Sequence, residues 1–404
     1  MATQATQDVQ QASSPSSLGK LFRENIRDYG MFIALIVIWL FFTFSTDGLF
    51  ISSRNMVNLI NQTGYIAVLA VGMTLVIVIR HIDLSVGFLA GFLGAVAAIL
   101  MVDYNLPFYV VIPMVLFFGV LAGLLTSFMV ANLGIPAFVA TLAGWLGYRG
   151  LLQLVTRATG TIIIPDDNFN AIGNSFIPDI PGTELLPDLH LLTMILGLAA
   201  IIIYIISQLL SLRRAQTQDV DTTSRGMSIL KIVVVSALIF SSAWLMASYQ
   251  GLSWTAVVVL IVAFGYHFMT TKTVLGRHIY AVGGNPEAAE LSGISVKHIT
   301  HVVFGSMGML SALAGILFAA RLQSATTTAG TLFELDAIAA AFVGGVSAAG
   351  GVGTVIGSLV GALVMTSLTS GMNLMGIDIS YQYIVRALVL AAAVIFDVAT
   401  RRTS

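Results

Sequence analysis

Stretches of about 20 consecutive apolar residues recur along most of the 404-residue chain. A helix of that length is what the hydrocarbon core of a bilayer requires. Charged residues make up only 9% of the chain, against roughly 25% in soluble domains, and hydrophobic residues make up 57%. Because a helix satisfies its own backbone hydrogen bonds inside lipid, the sequence predicts an all-α, polytopic membrane protein.

The apolar stretches predict ten to twelve transmembrane helices. One of them, 336–349, is short and rich in Gly and Ala, so we expect it to cross only half of the membrane. The predicted helices cover residues 30–49, 64–80, 84–102, 107–130, 136–156, 189–211, 229–248, 252–270, 298–320, 336–349, 354–374 and 381–398.

The distribution of Lys and Arg places both termini in the cytoplasm, because loops on that side carry the excess of basic residues. With this orientation, 13 of the 18 basic residues are cytoplasmic. Residues 1–28 are polar and lack the features of a secretory signal, so we predict a disordered cytoplasmic tail. A transmembrane domain follows over 29–400, with an outer loop at 157–188, an inner loop at 213–228 and a cytoplasmic loop at 271–297.

Several functional classes find no support in the sequence. The net charge of −1 offers no basic surface to nucleic acid, and the common hydrolase and metalloprotease motifs are absent. The glycine-rich run 350–362 lacks the Gly-Lys-Ser/Thr ending of a phosphate-binding loop. Its residues Gly353, Gly357 and Gly361 instead predict a helix face that another helix approaches closely. We therefore predict a protein that is not an enzyme and that needs no cofactor or metal of its own.

Ion-driven carriers usually hold carboxylates deep among their helices. Here Asp83, Asp103, Asp336 and Asp397 fall at or near predicted helix ends, and Glu334 falls in a predicted outer segment. The sequence therefore favours an external energy source, with an ion-coupled secondary carrier as the alternative.

A polar stretch interrupts the apolar pattern at 285–294, inside the predicted cytoplasmic loop. It begins with Asn-Pro, a favourable helix start, continues with acidic residues in the first turn and ends at a glycine. A short helix with a small-residue face suits insertion into a groove of a soluble partner. The residues expected to make that contact are Asn285, Pro286, Glu287, Ala288, Ala289 and Gly293.

The stretch EAAELSG (287–293) resembles the Glu-Ala-Ala…Gly motif of permease subunits in ATP-binding-cassette importers. Segments 70–87, 276–296, 334–363 and 381–398 resemble the ribose/xylose/galactose branch of that superfamily, and most of all its xylose and multiple-sugar permeases. One departure is Arg80-His81, where the branch has small or neutral residues; we expect the pair to cap a helix end and to interact with Asp83. The family-motif positions are Asp83, Ser85, Gly87, Glu334 and Asp336.

The resemblance implies a subunit of the bacterial inner membrane that pairs with a second copy of itself. It also implies two partners: an ATPase subunit, which binds ATP and Mg²⁺, and a periplasmic sugar-binding protein. The implied cargo is xylose or a related pentose or hexose, with a nucleoside or a signalling furanone as alternatives. Arg54, Arg157 and Arg321 lie in predicted outer segments, and we expect them either to anchor helix ends or to grip carboxylates of the binding protein.

Overall fold

The computed structural model describes residues 26–181, 189–217 and 225–401. These residues form an α-helical bundle with one pair of three-residue strands, which confirms the predicted fold class. Eight of the described helices are long and apolar enough to cross a membrane, and three shorter apolar helical segments accompany them. The tail before residue 26 lies outside the described residues.

The described residues contain fifteen helices and a single two-stranded sheet. Their bounds are α1 Ile26–Ser45, α2 Ser53–Val78, α3 Val86–Val102, α4 Phe108–Ala131, α5 Ala137–Val155, β1 Thr161–Ile163, α6 Asp167–Asn174, α7 Leu191–Thr217, α8 Arg225–Ala247, α9 Trp254–Lys272, α10 Val274–Gly284, α11 Pro286–Leu291, α12 Val296–Leu322, β2 Ser324–Thr326, α13 Phe333–Val343, α14 Val355–Leu374 and α15 Ile379–Arg401.

Helices α2, α12 and α14 form the centre of the bundle, and most of their residues are buried. Close backbone approach holds this centre together, since a glycine lets a second helix come nearer than any side chain would allow. On α12, Gly308 faces the backbone of Gly119 in α4, and Gly315 faces the backbone of Ala90 in α3.

Helix α14 approaches α13 in the same way. A β-carbon on Gly357 or Gly361 would collide with the carbonyl oxygen of Gly344 or Ala340, respectively. The sequence prediction of a close-packing face is therefore right for these two glycines. It is wrong for Gly353, which lies before the helix begins at Val355 and packs against Val346.

Helix α13 is short, as predicted for the segment 336–349. Its 11 residues span about 16 Å at 1.5 Å per residue, roughly half of a 30 Å hydrocarbon core. It starts three residues earlier than predicted and ends at Val343, and a glycine-rich connection leads on to α14.

Helix α2 begins at Ser53, eleven residues before the predicted start at 64. The prediction missed this part because the segment carries polar residues. In the structure several of those side chains contact other parts of the protein: Thr63 and Thr366 share a hydrogen bond of 2.6 Å, and Asn55 donates to the carbonyl oxygen of Phe50. Polar side chains that bond across helices are compatible with a membrane-spanning position.

Helices α7 and α8 pack chiefly against each other at the side of the bundle. Ile203 and Trp244 are exposed on them, whereas Ala243 and Met246 of α8 are buried. Both helices extend into the predicted inner loop 213–228, of which 218–224 lies outside the described residues. Neither helix has a polar face, which suits a position at the periphery of the bundle.

The central packing predicts opposite effects for two glycines one turn apart on α12. In Gly308→Ala the new methyl group would meet the Gly119 carbonyl oxygen, whereas in Gly305→Ala it would meet Leu124 at an ordinary 3.4 Å. Both changes raise helix propensity by about 1 kcal/mol. We expect Gly308→Ala to lower the thermal unfolding midpoint of the detergent-solubilised protein and Gly305→Ala to leave it unchanged or raise it. Equal midpoints for the two variants would contradict the close approach of α12 and α4.

Candidate functional site

The short polar helix predicted from the sequence is α11, and its two ends are capped as the sequence indicates. The side chain of Asn285 accepts a hydrogen bond of 3.1 Å from the Ala288 N–H, and Pro286 occupies the first helical position. Beyond Leu291 the chain turns at Gly293, whose φ of +84° is the left-handed conformation that favours glycine. The helix therefore has a defined start and stop within nine residues of chain.

One face of α11 is available to a partner. Glu287, Ala288 and Glu290 are exposed, whereas Ala289 is buried against the bundle. Leu291 is 91% exposed, more than any other large apolar side chain described. Sequence reasoning did not single out Leu291, although an apolar residue at the end of a polar cytoplasmic helix was a usable signal.

Arg80, which follows α2, binds the end of α10, just before α11 begins. Its Nε donates to the carbonyl oxygen of Gly283 at 2.7 Å, and its Nη2 donates to that of Gly284. These carbonyls belong to the last turn of α10, where a cation is favoured by the helix dipole, and α11 begins two residues later. The expected pairing of Arg80 and His81 with Asp83 is therefore wrong: Arg80 binds α10, and the His81 ring packs 5.9 Å from that of Phe304.

The connection between α13 and α14 joins the same place. The Gly351 N–H donates to the Val78 carbonyl oxygen at 2.9 Å, and the Tyr280 hydroxyl donates to the Gly353 carbonyl oxygen at 2.6 Å. We call this meeting point the inner junction. It consists of residues 78–80 at the end of α2, residues 280–284 of α10 and residues 350–353 before α14.

A second polar region lies deeper, where α3 and α13 begin inside the bundle. Asp83 is buried and accepts hydrogen bonds from the N–H and hydroxyl of Ser85, which precedes α3. Gly87 in the first turn of α3 lies against Gly330 and Glu334, so a β-carbon there would collide with the Glu334 carboxylate. The structure thus brings all five family-motif positions to two neighbouring helix starts.

Glu334 contradicts the expectation that carboxylates avoid mid-membrane positions. It is 4% exposed, and its Oε1 accepts a hydrogen bond of 3.0 Å from the indole of Trp145, the ninth residue of the 19-residue helix α5. The prediction placed it in an outer segment because no apolar run covers 323–335. Glu334 is buried because α13 begins inside the bundle.

Asp336, two residues on, forms an ion pair with Arg386 of α15. Both carboxylate oxygens lie 3.2 Å from Arg386 Nη1. Sequence reasoning missed this partner, although a lone arginine in an apolar helix generally marks a buried acidic partner.

The described part of the outer loop contains β1 and α6. Strand β1 pairs antiparallel with β2, and α6 packs against the end of α12. Asp166 caps α6. Asp179 caps α7, and its pKa lies below the ordinary value because its carboxylate accepts hydrogen bonds from the Leu192 N–H and then from those of Leu191 and Ile180. Glu184 and Asp188 lie outside the described residues.

The three candidate docking arginines differ in exposure. Arg54 and Arg157 are exposed near the outer ends of α2 and α5, whereas Arg321 is only partly exposed in the last turn of α12. A docking role for Arg54 and Arg157 stays a prediction, and Arg321 is less accessible for that role.

Comparison with known proteins identifies the family. Residues 55–394 match the family described as "Branched-chain amino acid transport system / permease component". The chain belongs to this permease family. It is a multi-pass protein of the bacterial inner membrane, in agreement with the predicted localisation.

Several named relatives cover almost the whole chain. The xylose transport system permease protein XylH of Escherichia coli strain K12 is 38% identical over 382 residues, 94% of each chain. The protein of the same name from Haemophilus influenzae is 37% identical over 95% of this chain and 99% of its own. The ribose import permease protein RbsC of H. influenzae is 35% identical over 91% of each chain. No solved structure matches the permease significantly.

The inner junction predicts that Arg80 of the permease holds the α10–α11 segment in place. Arg80→Met removes both hydrogen bonds and the charge, whereas Arg80→Lys keeps the charge without the guanidinium fork. We expect hydrogen exchange over residues 281–291 to become about thirtyfold faster in Arg80→Met, because each of the two lost hydrogen bonds contributes about 1 kcal/mol, and less so in Arg80→Lys. Exchange in α12 serves as the internal control. Unchanged exchange over 281–291 in Arg80→Met would show that the junction does not depend on this side chain.

Proposed function

We propose that this permease is the membrane-spanning subunit of an ATP-driven importer for a monosaccharide, with xylose or a related pentose or hexose as cargo. The observation that carries the proposal is α11, a capped helix with an exposed leucine at the end of the bundle where the inner junction lies. The names of its relatives, a xylose and a ribose permease, support the choice of cargo.

In this proposal the permease performs no bond chemistry. A partner ATPase binds ATP and Mg²⁺ and receives α11 in a groove, with Leu291 in an apolar pocket and Glu287 and Glu290 on the polar rim. Closure of the ATPase then moves α11, and the inner junction passes this movement to α2 and to the connection before α14. The bundle, working as a homodimer, alternates between outward-open and inward-open states.

The proposed function is tested by uptake of radiolabelled D-xylose and D-ribose into proteoliposomes that contain the permease, the candidate ATPase and the candidate binding protein. Uptake that requires both partners and ATP supports the proposal. Nucleosides, tested in parallel, decide between the two classes of cargo.

The buried carboxylates of Asp83 and Glu334 would also suit an ion-coupled carrier. Permease-only proteoliposomes with an imposed proton or sodium gradient address that alternative. Uptake in the absence of the ATPase would overturn the proposal of ATP-driven import.

The coupling role of α11 predicts that transport and ATP hydrolysis separate when its surface changes. Leu291→Asp should weaken binding of the ATPase to the permease by about 2 kcal/mol, roughly thirtyfold, because it places a charge in an apolar contact. Glu287→Lys and Gly293→Val should lower binding-protein-stimulated ATP hydrolysis, the latter through strain of about 1–2 kcal/mol at a positive φ. Ser292→Ala, which lies between them but loses only a local hydrogen bond to Ala288, is the matched control. Normal stimulation in all three variants would remove α11 from the coupling mechanism.

At the outer face, Arg54→Glu and Arg157→Glu should weaken docking of the sugar-loaded binding protein. Because both side chains are exposed, we expect a small effect, about 1 kcal/mol or fivefold for each residue, that shrinks at high salt. Docking is measured to the purified complex at two salt concentrations. Lys272→Glu, an exposed change at the opposite end of α9, is the control. Unchanged docking at low salt would leave the arginines as helix-end anchors.

A further inference from the structure

One of the buried polar atoms without a partner among the described residues lies where α3 and α13 begin. Glu334 Oε1 accepts from Trp145, but Glu334 Oε2 is buried and has no hydrogen-bond partner within the described part of the chain. A buried carboxylate oxygen left unpaired is strongly unfavourable. The arrangement is therefore incomplete without a donor that comes from outside these residues.

The surroundings of Glu334 favour an uncharged donor. The carboxylate lies between the N-terminal ends of two helices, and each end carries partial positive charge. The Arg149 guanidinium lies 5.4 Å from the Trp145 ring centre and 5.6 Å from that of Phe88. This positive environment disfavours a free cation, and the carboxylates of Glu334 and Asp83 disfavour an anion.

The site is one side chain away from an open surface. Trp145 is partly exposed, and its helix α5 presents a face with free space beside Gly147 and Gly150. Arg149 and Gln153 are exposed on the same helix. Charged and amide side chains at this depth are typical of a water-filled path or a protein contact, and not of a lipid-facing surface.

We infer that Glu334 and Trp145 form a contact site for a hydroxyl-rich, uncharged ligand on its way through the membrane. A hydroxyl group of the ligand donates to Glu334 Oε2, and the indole of Trp145 covers its apolar face. This inference rests on the proposed function and names the sugar-contacting residues of that path.

The test uses the complete complex in proteoliposomes and measures D-xylose uptake together with ATP hydrolysis. Glu334→Gln is nearly isosteric and keeps an acceptor for Trp145, and Trp145→Phe removes the indole N–H. We expect both to lower the number of sugars moved per ATP about tenfold, as loss of one hydrogen bond to a charged group does, while ATP hydrolysis stimulated by the loaded binding protein is retained. Asp378→Asn and Trp254→Phe, both at exposed outer positions, are the matched controls.

A second readout does not depend on ATP. The chain has four tryptophans, so a variant with Trp39, Trp244 and Trp254 replaced by phenylalanine reports on Trp145 alone. Its fluorescence should change saturably with D-xylose and should not do so once Glu334→Gln is added.

The outcomes separate the two proposals. If the unmodified complex moves no monosaccharide with ATP, the proposed function fails. If it does so, but Glu334→Gln and Trp145→Phe keep the sugar-to-ATP ratio of the unmodified complex, only the contact site is overturned. A parallel fall of uptake and ATP hydrolysis also overturns it, because that result indicates a structural role.

Discussion

Backbone that leaves the helical path inside a bilayer has to be covered by protein, because lipid offers its N–H and carbonyl groups no partner. The centre of this permease follows from that constraint. Helices α3 and α13 both start within the bundle, and Gly87 in the first turn of α3 packs against Gly330, just before α13. The buried core helices α2, α12 and α14 supply the cover. The close packing of the core helices at glycines therefore covers the exposed backbone at the starts of α3 and α13, and it also stabilises the bundle.

Two carboxylates illustrate what this interior does to charge. Asp336 and Arg386 form an ion pair through Arg386 Nη1, whereas Glu334, two residues away, has one oxygen bound by Trp145 and one free of partners in the described chain. A helix start can hold both acids, since its dipole favours negative charge. The two acids differ because Glu334 Oε2 can still accept a hydrogen bond from a ligand.

The sequence predicted the apolar helices and the capped helix α11 because both depend on local pattern: length, hydropathy and cap residues. It failed where the outcome depends on what a segment packs against. The polar start of α2 is helical because Thr63 meets Thr366 across the bundle. Glu334 is central because α13 begins inside the membrane domain, which no hydropathy pattern records. Arg80 binds α10 instead of the neighbouring Asp83 because a contact more than 200 residues away in sequence is invisible to local reasoning.

A short segment of chain joins the inner junction to the polar region where α3 and α13 begin. Arg80 belongs to the inner junction, and Ser85, five residues later, precedes the start of α3 beside Glu334. The segment between them is non-helical, and Thr141 of α5 donates to it at the Ile82 carbonyl oxygen. The segment is short and is held at both ends, by Arg80 and by the Asp83–Ser85 turn, so a shift of α10 and α11 is passed on to the start of α3. We infer that the permease links its cytoplasmic surface to its interior through residues 80–85, with Arg80 as the attachment at one end and the Asp83–Ser85 turn at the other.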